Sequence, residues 1–114
     1  MEVQHLPIID WEQAIRVANN KDLAQEILFM LIKQLPKDVA MINEAYQEKN
    51  FSDLLRLVHK LHGALCYTGA LRLKTIISHL ETDLKKNIMD SLATLIAQLN
   101  QEANLLLERH QHPS

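Results

Sequence analysis

Apolar residues return every three or four positions along nearly the whole chain, the period of an amphipathic helix. Asp10 stands where an N-cap belongs and predicts a short helix, Trp11 to Val17, with Glu12 in its first turn. Asn19, Asn20 and Lys21 interrupt the rhythm, and Asp22 opens a longer run through Leu23, Ile27, Met30, Leu31 and Leu35. Pro36 then either kinks this helix or begins a new one, and the rhythm goes on through Val39, Met41, Ile42 and Ala45 to about Glu48. Asn50 with Asp53 resembles a capping arrangement for a third long helix, carrying Leu54, Leu57, Val58, Leu61 and Leu65 to about Tyr67. Thr68-Gly69 is the next stop, with Gly69 a natural C′ residue. A fourth run, Ala70 to about Lys86, is built on Leu71, Leu73, Ile76, Ile77, Leu80 and Leu84. Asn87 or Asp90 caps the last helix, which takes Leu92, Leu95, Ile96, Leu99, Ala103 and Leu106 to about Arg109.

Short connections between long amphipathic helices make antiparallel neighbours. The expected fold is therefore all-α: an antiparallel up-and-down four-helix bundle with one or two additional short N-terminal helices. Residues 1–9 read as an extension, 10–109 as the bundle and 110–114 as a flexible tail. Trp11 and Phe29 are expected in the core, Cys66 as a small, partly buried filler, and His5, His110 and His112 as tail residues.

Composition sharpens this picture mostly by exclusion. Two glycines and three prolines in 114 residues are too few for the turns of an all-β fold. Gly63 and Gly69 alone cannot spell a Gly-rich phosphate loop. A formal charge of −2 gives no basic footprint for nucleic acid. The single cysteine forms no internal disulfide, which favours a reducing compartment, and the longest apolar run, Ile27 to Ile32, is too short to cross a bilayer. The expected protein is a cytoplasmic module, free-standing or part of a longer protein, with no direct membrane contact.

Chemistry concentrates in the third helix. With Leu54 at zero and roughly 100° per residue, Leu57, Val58, Leu61, Ala64 and Leu65 fall within about 80° and form one apolar stripe. His59, Gly63, Arg56 and Cys66 fall on the opposite side, with Lys60 at one edge of that face and His62 at the other. His59 is thus expected to point outward. An exposed glycine inside a helix costs about 1 kcal/mol relative to alanine, and Gly63 lies one turn beyond His59 on the same face. The missing side chain leaves a notch through which another protein can approach the ring. A neutral imidazole nitrogen is a competent nucleophile. With no nucleotide loop in the chain, any group it accepts must arrive already activated. A phosphoryl group brings about two negative charges, which Arg56, Lys60 and His62 lie within a turn to offset. Reflection across the Thr68-Gly69 turn sets Ser78 roughly opposite His59, with Glu81 and Thr82 a turn away, as groups to orient the ring through its other nitrogen.

The run His59-Lys60-Leu61-His62-Gly63-Ala64, with Gly69 ten residues beyond the histidine, resembles the signature of histidine phosphotransfer (HPt) domains. The Leu28-Phe29, Leu35-Pro36, Ile42 and Ala45 pattern of the preceding helix adds to the resemblance, which spans about residues 10–108 and is nearest the form at the C-terminal end of hybrid sensor kinases. The resemblance implies that His59 is the phosphoacceptor, shuttling a phosphoryl group between aspartates of response-regulator receiver domains. It implies a phosphocarrier without kinase activity of its own, no resident cofactor, and a magnesium ion supplied by the receiver. Lys60, His62 and Arg56 would form the phosphate environment, and Gly63 and Cys66 the docking face of a monomer. His62 stands where many members carry Lys or Arg.

Two other functions compete. His59, His62 and Cys66 have i, i+3, i+7 spacing, with His79 as a fourth ligand for a metal, although Gly63 has no role in that reading. A plain helical adaptor or dimerisation module would use exposed apolar positions such as Leu55. A dimerising kinase domain is disfavoured, because Lys60 and Gly63 stand where its acidic residue and proline belong.

Overall fold

A computed structural model of the chain describes residues 2–110. Five helices follow in order: α1 Trp11–Ala18, α2 Lys21–Gln47, α3 Phe51–Leu65, α4 Leu71–Lys85 and α5 Leu92–His110. Helix α2 packs on α3, α3 on α4, α4 on α5, and α5 returns to α2, which closes a four-helix bundle; α1 lies against α2. The connections between these four helices are three to six residues long, so successive helices run antiparallel. At 1.5 Å per residue α2 is about 40 Å long, and it spans the 39 Å long axis of the molecule. Pro36 sits on its exposed side and the helix passes through it unbroken. Inside, Leu35, Ile42, Leu54, Leu61, Ile76, Leu80 and Leu99 are completely buried in one apolar core. Val3 is buried against the same core, with Leu6, Ile8 and Ile9 packed beside it, so the expected N-terminal extension lies along the bundle.

Helix ends explain how so few glycines suffice. Asp10 accepts from the Gln13 amide at 3.0 Å and Asn50 from the Asp53 amide at 3.2 Å, both as expected. Asn20 caps α2, accepting from the Leu23 amide at 2.9 Å, so the helix begins at Lys21, one residue before Asp22, where it was expected to open. Lys49 and Asn87 occupy the left-handed region that ends α2 and α4. Each closes a Schellman motif: Asn50 and Lys49 donate to Ala45 and Tyr46, and Ile88 and Asn87 donate to Asp83 and Leu84. Asn87 therefore terminates α4 and does not cap α5, and Asp90 is no cap either, since α5 starts only at Leu92.

Several expected placements are corrected. Helix α3 ends at Leu65, so Gly69 lies beyond its C′ position. Gly69 does adopt a positive φ of 71°, but there its carbonyl accepts from the Asp10 amide at 2.8 Å, and a Cβ would stand 2.5 Å from the Asp10 carbonyl oxygen. This glycine admits the start of α1. Phe29 is 59% exposed, because Leu28, Leu31, Ile32 and Leu35 already fill the inner stripe of α2; its ring lies 5.7 Å from Lys33 Nζ. Trp11 is likewise exposed, since α1 buries only Ala14. Cys66 and Ala64 lie at the surface, and Leu55, expected there, is half-buried against the core. His110 is the last residue of α5; His112 and the rest of the expected tail lie outside the described residues.

Candidate functional site

The seam between α3 and α4 holds the site. On α3, five buried residues (Leu54, Leu57, Val58, Leu61 and Leu65) turn the opposite face to solvent. His59 lies on that face with its side chain 71% exposed. On α4, Ile77, Leu80 and Leu84 form the buried stripe, and Glu81 interrupts it. The Glu81 side chain is only 6% exposed, yet it reaches the edge of the seam, where it meets three partners. Nδ1 of His59 bonds to Oε2, Nδ1 of His62 bonds to Oε1 at 2.7 Å, and Lys85 Nζ lies 3.3 Å from Oε2, one helical turn along.

Burial pushes the Glu81 carboxyl up, but the hydrogen bonds from His59, Lys85 and His62, together with the Lys85 charge, outweigh it and hold the group below the ordinary carboxylate range. An ionised carboxylate only accepts, so both imidazoles must carry their proton on Nδ1. In the neutral ring this fixes the tautomer of His59: Nδ1 donates inward and Nε2 keeps a free lone pair. The sequence placed Ser78 opposite this ring; the group that meets it is Glu81, one turn farther on, while Ser78 lines a different, polar groove with His79 and Lys86.

The other expected residues divide by neighbourhood. Arg56 shares a shallow groove with His59, Lys85, Ser52 and Leu55, but its guanidinium is held by Asp53, at 2.6 Å from Nη2 and 3.0 Å from Nε. Lys60 is exposed and faces the other way, towards α2. There it helps line an apolar groove of about 380 Å³ with Ile27, Met30, Leu31, Ala64 and Tyr67. His62 is 28% exposed at the core boundary, with its Nδ1 committed to Glu81. Gly63 opens onto space: a Cβ built there meets no heavy atom within 4 Å, so the glycine serves no internal packing. Cys66 is exposed in the turn after α3.

His79 pairs with Asp83 at 3.3 Å on another face of α4, apart from the seam that joins His59 and His62. Among the described residues no group of three or more His, Cys, Asp or Glu side chains is arranged to hold a metal ion. Nor is any described helix long and apolar enough to cross a membrane. Sequence reasoning set Glu81 a turn away from the ring and assigned Lys85 no place at the site. The signal for the first was available: an acid in register with Ile77 and Leu84 requires a partner.

Comparison with known proteins agrees with this geometry. The chain is 37% identical over 78 residues to the signal transduction histidine-protein kinase BarA of Escherichia coli (strain K12), a match covering 68% of this chain and 8% of that protein. It is 32% identical over 106 residues to the sensor protein GacS of Pseudomonas syringae pv. syringae, covering 87% of this chain and 12% of the relative. The chain thus spans about a tenth of the length of these curated relatives. Among solved structures, the HPT domain from a sensor hybrid histidine kinase of Shewanella superposes with a TM-score of 0.75 at 27% identity, covering 94% of this chain and 97% of that one. The family model described as the Hpt domain matches residues 26–109, which contain all of α3, α4 and the histidine seam. The chain belongs to the Hpt family of histidine phosphotransfer domains.

Proposed function

We propose that this chain is a phosphocarrier in a two-component phosphorelay, with His59 as the group that carries the phosphoryl. The observation behind this reading is the pairing of a solvent-exposed Nε2 with an Nδ1 held by a buried carboxylate. The donor is the acyl phosphate of an aspartate on a receiver domain, whose own site brings the magnesium ion. The lone pair of Nε2 forms the N–P bond as the O–P bond breaks, and that bonding pair leaves on the aspartate carboxylate. The Nδ1 proton stays on the ring, so the phosphorylated imidazole carries a positive charge directly against Glu81. Such a ring is a good leaving group, and the reverse step onto a second receiver follows the same path. The chain contributes no kinase step of its own.

The surroundings support the same reading. Arg56 on α3 and Lys85 on α4 share the shallow groove with His59, within reach of the charge a phosphoryl group adds, while Lys60 adds its charge from the α2 side of the same helix. Gly63 leaves the approach to His59 open, and the apolar groove between α2 and α3 gives a receiver something to bury. Met30, on its α2 wall, is 67% exposed. The module acts as a monomer that docks one receiver at a time. A transfer assay tests the assignment: mixed with receiver domains carrying labelled acyl phosphate, the wild-type chain takes up label and His59→Gln takes up none. Label appearing on His59→Gln at the wild-type rate removes the proposal.

A further inference from the structure

We propose that His62 is a positioning residue for His59, acting through Glu81. The inference rests on the carrier reading of His59 and deepens it. A glutamate on a helix has three rotatable bonds, and a buried carboxylate with one oxygen unsatisfied turns to find a partner. Here both oxygens are occupied from α3: Oε1 by the Nδ1–H of His62 and Oε2 by the Nδ1–H of His59. The two histidines stand three residues apart, so both face the same carboxylate from one helical surface. His62 is the more buried of the two, 28% exposed against 71%, and is therefore the better anchor. By holding Oε1 it leaves Oε2 in the single orientation that receives the His59 proton. Lys85 touches only Oε2, so it does not substitute for His62 at Oε1.

The consequence is chemical. When Nε2 of His59 bonds to phosphorus, the ring becomes positive while keeping its Nδ1 proton, and a carboxylate fixed against that proton stabilises the charge as it develops. A carboxylate free to swing away has to be recaptured during the step. His62 thus acts without touching the phosphoryl group.

Two variants separate this role from bulk and from charge. Asparagine at position 62 can present its Nδ2 donor close to where the imidazole Nδ1 stands, whereas phenylalanine keeps a ring and loses the donor. The protein is read at about pH 8, where an ordinary imidazole is neutral, by the ring ¹⁵N shifts of His59 and by the rate at which phosphoramidate phosphorylates His59. Phosphoramidate is a small donor that needs no docking surface. The wild type and His62→Asn are expected to hold His59 as the Nδ1–H tautomer and to react within about threefold of each other. His62→Phe, with an unchanged thermal midpoint, is expected to show a mixture of tautomers and to react about tenfold more slowly, the scale of one hydrogen bond to a charged group. An unchanged His59 tautomer in His62→Phe overturns the proposal, as does His62→Asn reacting as slowly as His62→Phe. Failure of the carrier reading shows elsewhere: phosphoramidate would label His59→Gln as fast as wild type, while the tautomer measurement would still decide the role of His62.

Discussion

Three acids are buried among the described residues of this bundle, Glu81 and Asp83 on α4 and Glu102 on α5, and the bundle satisfies Glu81 and Glu102 differently. Glu102 is 4% exposed and meets Arg72 at 2.8 Å across the α4–α5 seam, where the guanidinium is itself only 12% exposed. Nearby, Asn43 and Asn100 exchange two amide hydrogen bonds, of 2.8 and 2.9 Å, between α2 and α5. Those partners do not titrate near neutrality, and they fix how the helices sit. Glu81 is equally buried but turns to the α3–α4 seam, where two imidazoles and an ammonium share it and one ring opens to solvent. A guanidinium is charged at every accessible pH and has no lone pair to offer. An imidazole that spends one nitrogen on the carboxylate keeps the other free for chemistry. The same local device, an acid in a hydrophobic stripe, therefore locks one seam and arms the other.

The widest separation between the seams should come from Arg72→Ala. It leaves the Glu102 carboxylate buried without its cation, which costs about 3 kcal/mol or more and lowers the thermal midpoint by on the order of 10 °C. Transfer to His59, assayed well below that midpoint, stays near the wild-type rate. Replacing the pair together, as Arg72→Met with Glu102→Leu, recovers most of the loss. Glu81→Gln should behave in the opposite way. An amide offers one acceptor oxygen to two Nδ1–H donors, so one ring loses its partner. Stability changes by within about 1 kcal/mol, while phosphorylation of His59 slows about ten- to hundredfold, the equivalent of one charge-assisted hydrogen bond. Calorimetry beside the transfer assay checks both, and two variants that lose stability and rate in parallel would erase the distinction between the seams.

The outward face of α3 was legible because five apolar residues at helical spacing leave only one direction for His59. The partner of His59 was less legible, because it depends on side-chain reach and on how α4 is offset along α3. Reflection across Thr68-Gly69 puts Ser78 level with His59, and the observed helix ends, Leu65 and Leu71, would put Ile77 there. The group that meets the ring is Glu81, one turn farther along α4, so the long glutamate side chain and the axial offset of the two helices decide the pairing. Phe29 was misread for a different reason. Its hydrophobicity suggested burial, yet α2 had already filled its inner stripe, and the residue was left on the surface beside Met30. Single-helix periodicity tells which side is inside; it does not tell which neighbour waits there.

The two glycines sharpen the contrast between a rigid seam and an open one. Gly69 sits at φ 71° with the Asp10 carbonyl and Ala14 in the space of a Cβ, so Gly69→Ala should cost more than about 1 kcal/mol. Gly63 faces open space, and Gly63→Ala should raise stability by about 1 kcal/mol through helix propensity alone. Gly63→Leu keeps most of that gain. It should leave the reaction with phosphoramidate unchanged and slow the reaction with a phosphorylated receiver, because only the receiver has to enter the notch. Equal slowing with both donors would place the effect inside the helix.

The smallest effect is the acid limb of the stability curve. Burial alone would raise the Glu81 carboxyl, but the three donors and the Lys85 charge hold it below the ordinary value of 4.5. A carboxyl lowered on folding contributes stability that is fully present above its unfolded value and is lost as pH falls through the folded one. The difference in unfolding free energy between wild type and Glu81→Gln should therefore be flat above about pH 4.5 and shrink below it. Urea midpoints taken from about pH 5.5 down to about 3 measure it. A difference that grows in acid would mean that desolvation wins, that Glu81 enters the folded protein protonated, and that His59 is held by a neutral acid in place of a carboxylate. The tautomer argument would then fail for both histidines together, since a protonated carboxyl can donate as well as accept.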